Sequence, residues 1–393
     1  MSSTRRDFLS TAMALGALGL TGPFVRRAQA AGALKVGLLL PASGTYAPLG
    51  EAITRGAKLY VSQKGGSLAG RAVEFVALDD ESAPPKATEL TNKLVFGENV
   101  DVLMGTVHSG VAAAMVKIAR EAGVTTLVPN AGADAITRAM CAPNIFRTSF
   151  ANGQIGAATA KAMLAAGVKE AMTCTWRYAA GEEMVGGFKE TFEAGGGKVT
   201  KDIALPFPDV EFQSALAEIA AAKPQAVYSF FAGGGAAKFI KDYAAAGLSG
   251  AVPLWGPGFL TDGVEQAVGA AGNGIRTVLH YADGLDNPEN KAFSATFKAA
   301  HGIDPDVYAV QGWDAMQVLD IGLAAVSGDT AKKDAMHAAM AAAKFASPRG
   351  PFEFSASRNP KQNFYARELK DGKNRMTGIA AASFADSGKG CRA

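Results

Sequence analysis

The chain has 393 residues, of which 48% are hydrophobic, and this is enough material for about two or three domains with substantial cores. Its formal net charge is +3, and the first thirty residues alone, with four arginines and one aspartate, account for that charge. The remainder is near neutral and has no basic patch, which argues against binding of nucleic acid or of an anionic membrane surface.

The first thirty residues have the layout of a secretory signal. Arginines at positions 5 and 6 precede an apolar run of about a dozen residues, and Ala28-Gln29-Ala30 supplies a small-x-small cleavage site. The paired arginines, followed by Phe8 and Leu9, resemble a twin-arginine export signal. The apolar run is too short to span a bilayer, which takes about 20 residues. We therefore expect residues 1–30 to be removed and the rest to be a soluble protein of the periplasm.

From Leu34 onward, short apolar runs alternate with segments of helical periodicity. The first series of predicted elements comprises strand Leu34–Leu40, helix Leu49–Gln63, strand Val73–Leu78, helix Lys86–Phe96, strand Val102–Gly105, helix Ser109–Glu121, strand Thr125–Val128 and the extended segment Asn144–Thr148. Strands that alternate with helices of about ten to fifteen residues indicate a parallel sheet with right-handed crossovers.

The alternation starts again near residue 150. The second series comprises helix Gly156–Ala166, strand Glu170–Thr175, helix Met184–Ala194, strand Ala226–Phe231, helix Ala236–Ala245 and strand Val252–Trp255. After these come long helices at Asn290–Ala300 and Tyr308–Val326 and strand-like segments at Phe352–Phe354, Phe364–Leu369 and Ile379–Phe384. The two series predict an α/β fold of two doubly wound, open parallel-sheet lobes. A ligand is then expected outside the carboxyl ends of the strands, in the cleft between the lobes.

The three cysteines do not make a disulfide scaffold. Cys174 lies in an apolar run, which predicts a buried thiol. Cys141 and Cys391 can either pair in an oxidising compartment or stay separate, and the sequence leaves both possibilities open.

Motifs of the common enzyme classes are missing from the sequence. It has no G-x-S-x-G elbow, no H-E-x-x-H pair and no Walker loop, and its four histidines are not spaced as metal ligands. The run Gly233-Gly234-Gly235 opens a predicted helix and could hold a phosphate, but it lacks the dinucleotide fingerprint and favours a tight turn. We therefore expect no catalytic residue, no metal and no cofactor.

Small and polar residues follow three of the predicted strands, at Ser43–Tyr46, His108–Gly110 and Asn130–Gly132. Free backbone N–H groups at the helix starts, together with a serine hydroxyl, suit a carboxylate. The alternative interpretation is that these residues are ordinary loop residues without a ligand, because Gly, Ser and Asn are common between strands and helices.

Several groups of residues recur in a specific order along nearly the whole chain after residue 30. They are Leu34–Pro41 with Ser43 and Gly44, Val102–Gly105 with Ser109, Phe146–Ser149 with Gln154, Tyr178 with Gly181, and Gly350–Phe354 with Tyr365–Glu368. Together they resemble the periplasmic binding proteins of the branched-chain amino acid type. The resemblance implies the type I periplasmic binding protein fold and a monomeric receptor that closes on a small ligand and hands it to the permease of an ABC importer.

The resemblance also implies that three chain segments cross between the lobes, near residues 149, 276 and 350. The first lobe would then comprise residues 34–149 and 276–349, and the second lobe residues 150–275 and 350–393. Closure would be a hinge motion about these crossings.

Ligand contacts carried over from the family are polar residues in the loops after the strands. The carboxylate-binding serine matches Ser109, with Gly110 at the same helix start, and the next loop supplies Asn130, Ala131 and Gly132. Asn152 stands where amino-acid-binding members have an acid for the ligand ammonium, and the second acid, expected near Gly258, is absent. Because a buried ammonium without a partner costs several kcal/mol, we expect a carboxylate that lacks an amine.

Aromatic side chains are the remaining candidate contacts, namely Tyr46, Tyr178, Phe231, Trp255 and Phe259. Tyr46, Tyr178 and Phe259 lie in predicted loops, which favours the cleft, whereas Phe230 lies inside a strand, which favours core packing. Stacked rings gain about 0.5–1.5 kcal/mol beyond the burial of their area. The pattern is similar to the branch of the family that takes up aromatic carboxylates, so we expect a ring held by these side chains and a carboxylate held by Ser109 and helix N-termini.

Three other functions stay open on the sequence. A receptor of this kind can sense its ligand and signal instead of serving transport, and the ligand can still be an amino acid or an amide. An exported enzyme that uses the cleft is the third, because twin-arginine signals often accompany enzymes that are exported folded.

Overall fold

The computed structural model describes residues 32–392, so the predicted signal at residues 1–30 lies outside the described residues. No helix within this range combines the length and the apolar character that crossing a bilayer requires. The described residues form two sheets with helices packed on them, and we call each sheet with its helices a lobe.

The first lobe is built on a six-stranded sheet. Its strands are β1 (Leu34–Leu40), β2 (Ser67–Leu68), β3 (Arg71–Asp79), β4 (Val102–Gly105), β5 (Thr125–Val128) and β6 (Ile145–Arg147), in the order β2-β3-β1-β4-β5-β6. Helices α1 (Ala47–Gln63), α2 (Pro84–Asn92) and α3 (Ser109–Ala122) connect them. Strands β4, β5 and β6 are buried along their whole length, as expected for parallel strands covered on both faces.

The second lobe is built on a nine-stranded mixed sheet. Its strands are β7 (Glu170–Arg177), β8 (Lys198–Pro206), β9 (Val227–Phe230), β10 (Leu254–Pro257), β11 (Arg276–Leu279), β12 (Lys344–Ser347), β13 (Gly350–Phe354), β14 (Pro360–Lys370) and β15 (Lys373–Phe384). Strands β7 to β11 run parallel in the order β11-β10-β9-β7-β8, and β14 joins β11 antiparallel with β13 and β15 beside it.

Eight further helices complete the described part of the chain. They are α4 (Asn152–Ala165), α5 (Ala179–Ala194), α6 (Gln213–Ala222), α7 (Gly233–Ala245), the short α8 (Glu265–Val268), α9 (Pro288–His301), α10 (Val307–Ala325) and α11 (Lys333–Ala341). The sequence pattern did not predict β8 or α6. Strand β8 is the edge of its sheet and consists only of exposed and half-buried residues, so it has no buried apolar run that would reveal it in the sequence.

The strand pairing corrects two edges of the predicted lobe division. Residues 276–279 were assigned to the first lobe, but they form β11 and pair with β10 and β14 of the second sheet. Residues 344–347, also assigned to the first lobe, form β12 and pair with β13. The chain therefore changes lobes after a strand ends, near His280, and the rest of the division stays a prediction.

Helices α1 and α10 approach each other backbone to backbone in the first lobe. A Cβ atom at Gly56 would overlap the carbonyl of Ala309, and one at Gly312 would overlap the carbonyl of Ile53. This contact fixes the side chains of α10 relative to the loop that precedes α1.

The first predicted crossing is tied by a buried arginine to the segment that follows β12. Arg349 forms an ion pair with Asp314, with Nε 2.8 Å from the carboxylate, and both side chains are almost fully buried. Its Nη2 donates to the carbonyl of Thr148 at 2.5 Å, and Gln362 Nε2 donates to the carbonyl of Ser149 at 2.6 Å. The segments near residues 149 and 349 are therefore held side by side.

Cys141 and Cys391 form a disulfide with a Cα–Cα distance of 5.5 Å, which decides the alternative that the sequence left open. Cys174 is a free, buried thiol, as its apolar surroundings predicted. The disulfide and the ion pair between Arg138 and Asp386, at 2.7 Å, attach the segment after β15 to the first lobe.

Candidate functional site

The carboxyl ends of parallel strands from both lobes meet at a small cavity of about 20 Å³. The loops after β1, β4 and β5 reach it from the first lobe, and the loops after β7, β9 and β10 reach it from the second lobe. This volume is room for about one water molecule, whereas ligand pockets usually measure about 300–1,000 Å³. A ring-sized ligand therefore fits only when the lining side chains or the two lobes move apart.

Most of the residues predicted as ligand contacts line this cavity. They are Tyr46, Ser109, Asn130, Gly132, Asn152, Tyr178 and Phe259. The structure brings these residues together, and their contact with a ligand stays a prediction.

Four predicted residues do not line the cavity. The backbone N–H of Gly110 donates to His108 Nδ1 at 3.1 Å, and the backbone N–H of Ala131 donates to the carbonyl of Thr106 at 2.9 Å. Both N–H groups therefore already have a hydrogen-bond acceptor within the first lobe. Phe231 packs in the core of the second lobe, 4.5 Å from Phe239 between ring centroids. The ring of Trp255 lies under the guanidinium of Arg276 at 5.3 Å, away from the cavity.

Phe230 lines the cavity instead of Phe231, which corrects the prediction that it packs in the core. Neighbouring residues of an extended segment point to opposite faces, so only one of the two can reach the cavity. Phe150, Met184 and Tyr308 also line it and were not predicted. Phe150 directly follows the crossing motif, which was the available signal, whereas Tyr308 lies on a helix that is buried on nearly all sides.

Ser109 is the first residue of α3, and its hydroxyl stands at the positive end of the helix dipole. Asn152 Nδ2 donates to Ser109 Oγ at 3.3 Å and to Glu183 Oε2 at 2.8 Å. Because the serine oxygen accepts from the amide, its own proton is free to be donated into the cavity. A hydroxyl donor beside a helix N-terminus is suited to a carboxylate.

A chain of buried amides fixes the side chain of Asn130. Its Nδ2 donates to Gln311 Oε1 at 2.8 Å, which leaves Gln311 Nε2 to donate to His280 Nε2 at 3.2 Å. Burial, together with the positive charges of Arg349 and Arg367, holds the pKa of His280 well below its usual value. His280 is therefore neutral and accepts the hydrogen bond that keeps the Asn130 amide in one orientation.

Aromatic rings form one wall of the cavity. The ring centroids of Phe150 and Phe259 are 4.7 Å apart, and that of Tyr308 lies 6.1 Å from Phe259. The hydroxyls of Tyr46 and Tyr178, which belong to different lobes, are hydrogen bonded at 2.8 Å. The cavity is thus closed by direct contact between the lobes.

Within residues 32–392, no arginine or lysine lines the cavity. Glu183 lies behind Asn152 and is engaged by the Asn152 amide and by the backbone N–H of Asp134 at 3.0 Å. Burial, reinforced by the charge of Asp134, raises the pKa of Glu183. The site therefore offers neutral donors and a helix dipole to an anion, and no lining carboxylate to a cation.

The family model for periplasmic binding proteins matches residues 33–374 of the chain. The curated protein "Leu/Ile/Val-binding protein homolog 6" of Brucella abortus (strain 2308) is 31% identical over 345 residues, which is 86% of this chain and 87% of that protein.

Two solved structures extend the comparison. A solute-binding protein of an ABC transporter from R. palustris, in complex with benzoate, is 70% identical with a TM-score of 0.90 and covers 92% of this chain and 100% of its own. Another, from Rhodopseudomonas palustris HaA2 in complex with p-hydroxybenzoic acid, is 31% identical with a TM-score of 0.85 and covers 91% of this chain and 99% of its own. These similarities confirm the predicted fold class over both lobes.

Proposed function

The chain belongs to the periplasmic binding protein family, and we propose that it is a monomeric, extracytoplasmic receptor that closes on a small aromatic carboxylate without an amine and delivers it to the permease of an ABC importer. The observation that carries the proposal is the division of the cavity into a neutral, donor-rich end at Ser109 and an aromatic wall around Phe150 and Phe259.

The carboxylate is held at the start of α3. Ser109 donates its hydroxyl proton, and the helix dipole adds a favourable interaction with the negative charge. Hydrogen bonds to charged groups contribute about 1.5–3 kcal/mol each, so a few such contacts can retain an anion although none of the described residues that line the cavity is basic.

The ring of the ligand lies against the aromatic wall. Phe150, Phe230 and Phe259 present ring faces or edges to the cavity, and Met184 adds a polarizable thioether. Aromatic side chains gain from tilted or offset contacts with a ligand ring, and a straight aliphatic chain gains only from the burial of its area.

An amino acid fits the site poorly because, within residues 32–392, no carboxylate lines the cavity to pair with its ammonium. Asn152 stands beside the serine with an amide in place of an acid, and Glu183 is already bonded to that amide. The R. palustris protein that was solved with benzoate supports the same ligand class, since 70% of its residues are identical to those of this chain.

Closure brings the lobes together over the ligand. The Tyr46–Tyr178 hydrogen bond and the stacking of His108 on Tyr178, with ring centroids 4.5 Å apart, join the two lobes beside the cavity. The crossings near residues 149 and 280, together with the crossing that precedes β12, would supply the hinge of this motion.

Calorimetric titration of the purified protein with benzoate, 4-hydroxybenzoate, leucine and acetamide tests the proposed function. We expect the aromatic acids to bind and to stabilise the fold by about 2.7 kcal/mol at a hundredfold excess over Kd, with little response to leucine or acetamide. Benzamide is the matched control, because it keeps the ring and removes the negative charge. Tight binding of leucine with no response to either aromatic acid would refute the proposal.

A further inference from the structure

One polar side chain of the cavity has a hydroxyl that nothing in the described protein satisfies. Tyr308 is fully buried, lines the cavity, and its Oη has no hydrogen-bond partner within residues 32–392. The other polar side chains of the lining each bond to another protein group. Their bonds join Tyr46 to Tyr178, Ser109 to Asn152, and Asn130 to Gln311.

The Asn152 Oδ1 atom is also unpartnered, but its surroundings differ. Its amide is fixed by the two bonds of Nδ2, and Oδ1 lies against the backbone of Gly132, where a Cβ atom would overlap it. Glu183 favours this orientation, since the opposite one would turn Oδ1 toward a carboxylate. Among the described lining residues, Tyr308 is therefore the one whose unpartnered hydroxyl is a candidate contact for a ring substituent.

Tyr308 is held rigidly beside the aromatic wall. It lies in the first turn of α10, which packs on α1 through the close contacts of Gly56 and Gly312, and its ring is 6.1 Å from that of Phe259. Phe259 in turn packs on Phe150, so Tyr308 adjoins the rings proposed to hold the ligand ring.

We propose that Tyr308 determines specificity by bonding a hydroxyl substituent on the ring of the ligand, so that the receptor favours ring-hydroxylated aromatic carboxylates over unsubstituted ones. This inference rests on the proposed function and adds the substituent that the site selects. A phenolic hydroxyl both donates and accepts, as the Tyr308 hydroxyl does, so either direction of the bond satisfies both groups.

The physical reason is the cost of burying a hydroxyl without a partner. An unsubstituted ring offers the Tyr308 hydroxyl no hydrogen-bond partner, whereas a hydroxylated ring supplies one. Sites that hydrogen-bond a ligand hydroxyl discriminate strongly against analogues that lack it. Burial, with the nearby charges of Asp262, Asp306 and Glu265, holds the pKa of Tyr308 well above its usual value, so its hydroxyl keeps its proton.

The test is a calorimetric titration of the wild-type protein and of Tyr308→Phe with benzoate and with 2-, 3- and 4-hydroxybenzoate. In the wild type we expect at least one hydroxybenzoate to bind more tightly than benzoate. In Tyr308→Phe we expect the ratio of that affinity to the benzoate affinity to fall about tenfold, the size of one net hydrogen bond.

The matched control is Tyr228→Phe. Tyr228 is likewise fully buried with no partner for its hydroxyl among the described residues, but it packs on Phe188 with ring centroids 4.3 Å apart and does not line the cavity. This substitution should leave the affinity ratio as in the wild type, which separates loss of a ligand contact from a general effect of removing a buried hydroxyl.

Two results would overturn the inference. An equal loss of affinity for all four acids in Tyr308→Phe would assign its hydroxyl to the carboxylate, and an unchanged ratio for all three isomers would show that it does not contact the ring substituent. Failure of the wild-type protein to bind any of the four acids would instead refute the proposed function itself. The wild-type preference remains a test even if the variant does not fold.

Discussion

Ser109 combines two properties that a carboxylate site needs. Its oxygen is oriented by the Asn152 amide, and its position at the start of α3 adds the helix dipole. Because the Asn152 amide donates to the serine oxygen, the serine proton is left to be donated to a ligand in the cavity.

Substitution Ser109→Ala is expected to weaken binding of benzoate by about ten- to a hundredfold, since hydrogen bonds to charged groups contribute about 1.5–3 kcal/mol. Calorimetric titration measures the effect. Ser229→Ala is a suitable control, because Ser229 is fully buried but does not line the cavity. An affinity unchanged by Ser109→Ala would remove the serine from the proposed contacts.

His108 gives the receptor a predicted dependence on pH. It lies between the lobes, 4% exposed, and its ring stacks on Tyr178 and packs 4.8 Å from Phe207. Burial lowers its pKa to about 4, whereas an exposed histidine titrates near 6.5. Protonation therefore favours the state in which His108 is exposed, so closure weakens as the pH falls from about 6.5 toward 4 and is unaffected above that range.

We expect the affinity for benzoate to fall by about an order of magnitude between pH 7 and pH 5, where the exposed form of His108 gains its proton and the closed form does not. Titrations at several pH values measure the slope. His108→Asn keeps an acceptor for the Gly110 amide and removes the titrating ring, so it should flatten the slope. A variant with the wild-type slope would contradict the role of His108.

The sequence identifies individual site residues where a motif specifies the position, and it fails where the three-dimensional geometry selects between neighbouring residues. Ser109 and Asn152 were found because they stand at motif positions of the family. The sequence predicts Phe231 as the cavity residue and Phe230 as a core residue, whereas the structure has Phe230 in the cavity lining and Phe231 in the core. The two side chains point to opposite faces of the extended segment, and the orientation of the whole sheet decides which face meets the cavity.

Among the elements, the pair α1 and α10 sets the position of one wall of the site. The glycines at the contact allow the helix backbones to touch, and Tyr46 at the start of α1 and Tyr308 at the start of α10 are thereby held at fixed separation. A side chain at the contact would move one helix relative to the other.

Substitution Gly312→Ala should lower the free energy of unfolding by about 1–3 kcal/mol, because the new Cβ overlaps the carbonyl of Ile53 and the helices must separate. Urea denaturation followed by circular dichroism measures it. Gly186→Ala is the matched control, since Gly186 lies within α5 with open space around its Cα. Alanine there should stabilise the fold by about 0.5–1 kcal/mol. Equal effects of the two substitutions would contradict the close contact.

Element prediction succeeded for the buried parallel strands and failed at the edges of the second sheet. Strands β1, β4 and β5 are short apolar runs and were predicted with their observed bounds. Edge strand β8 mixes lysine, threonine and aspartate with apolar residues because much of it faces solvent. The alternation of polar and apolar residues that predicts a strand is therefore not visible in its sequence. Helix α4 begins at Asn152, four residues before its predicted start, since Gly153 and Asn152 are weak helix formers.

In the whole molecule, the disulfide joins residues that are 250 positions apart. A bond across so long a segment restricts the unfolded chain strongly, and removal of such bonds costs about 2–5 kcal/mol. We therefore expect the double variant Cys141→Ser, Cys391→Ser to unfold at lower urea concentration than the wild type. Reduction of the wild type with dithiothreitol should give the same midpoint as the variant. An unchanged midpoint in both would contradict a stabilising bond.

The two-lobed fold was predictable because the alternation of strands and helices follows from local sequence patterns. The match to the periplasmic binding protein family and the similarity to the R. palustris structure confirm the family and the fold class. The points at which the chain changes lobes were less predictable. The strand at residues 276–279 pairs with β10 before the chain leaves the second sheet, and this pairing depends on contacts with β14, which is distant in the sequence.

The Cys141–Cys391 bond also makes a closed covalent ring that contains every segment by which the chain passes from one lobe to the other. A protease that cuts one loop inside this ring opens it without releasing a fragment. A receptor nicked at the hinge would thus migrate as one species until it is reduced, and its two lobes would stay tethered after the backbone between them is broken.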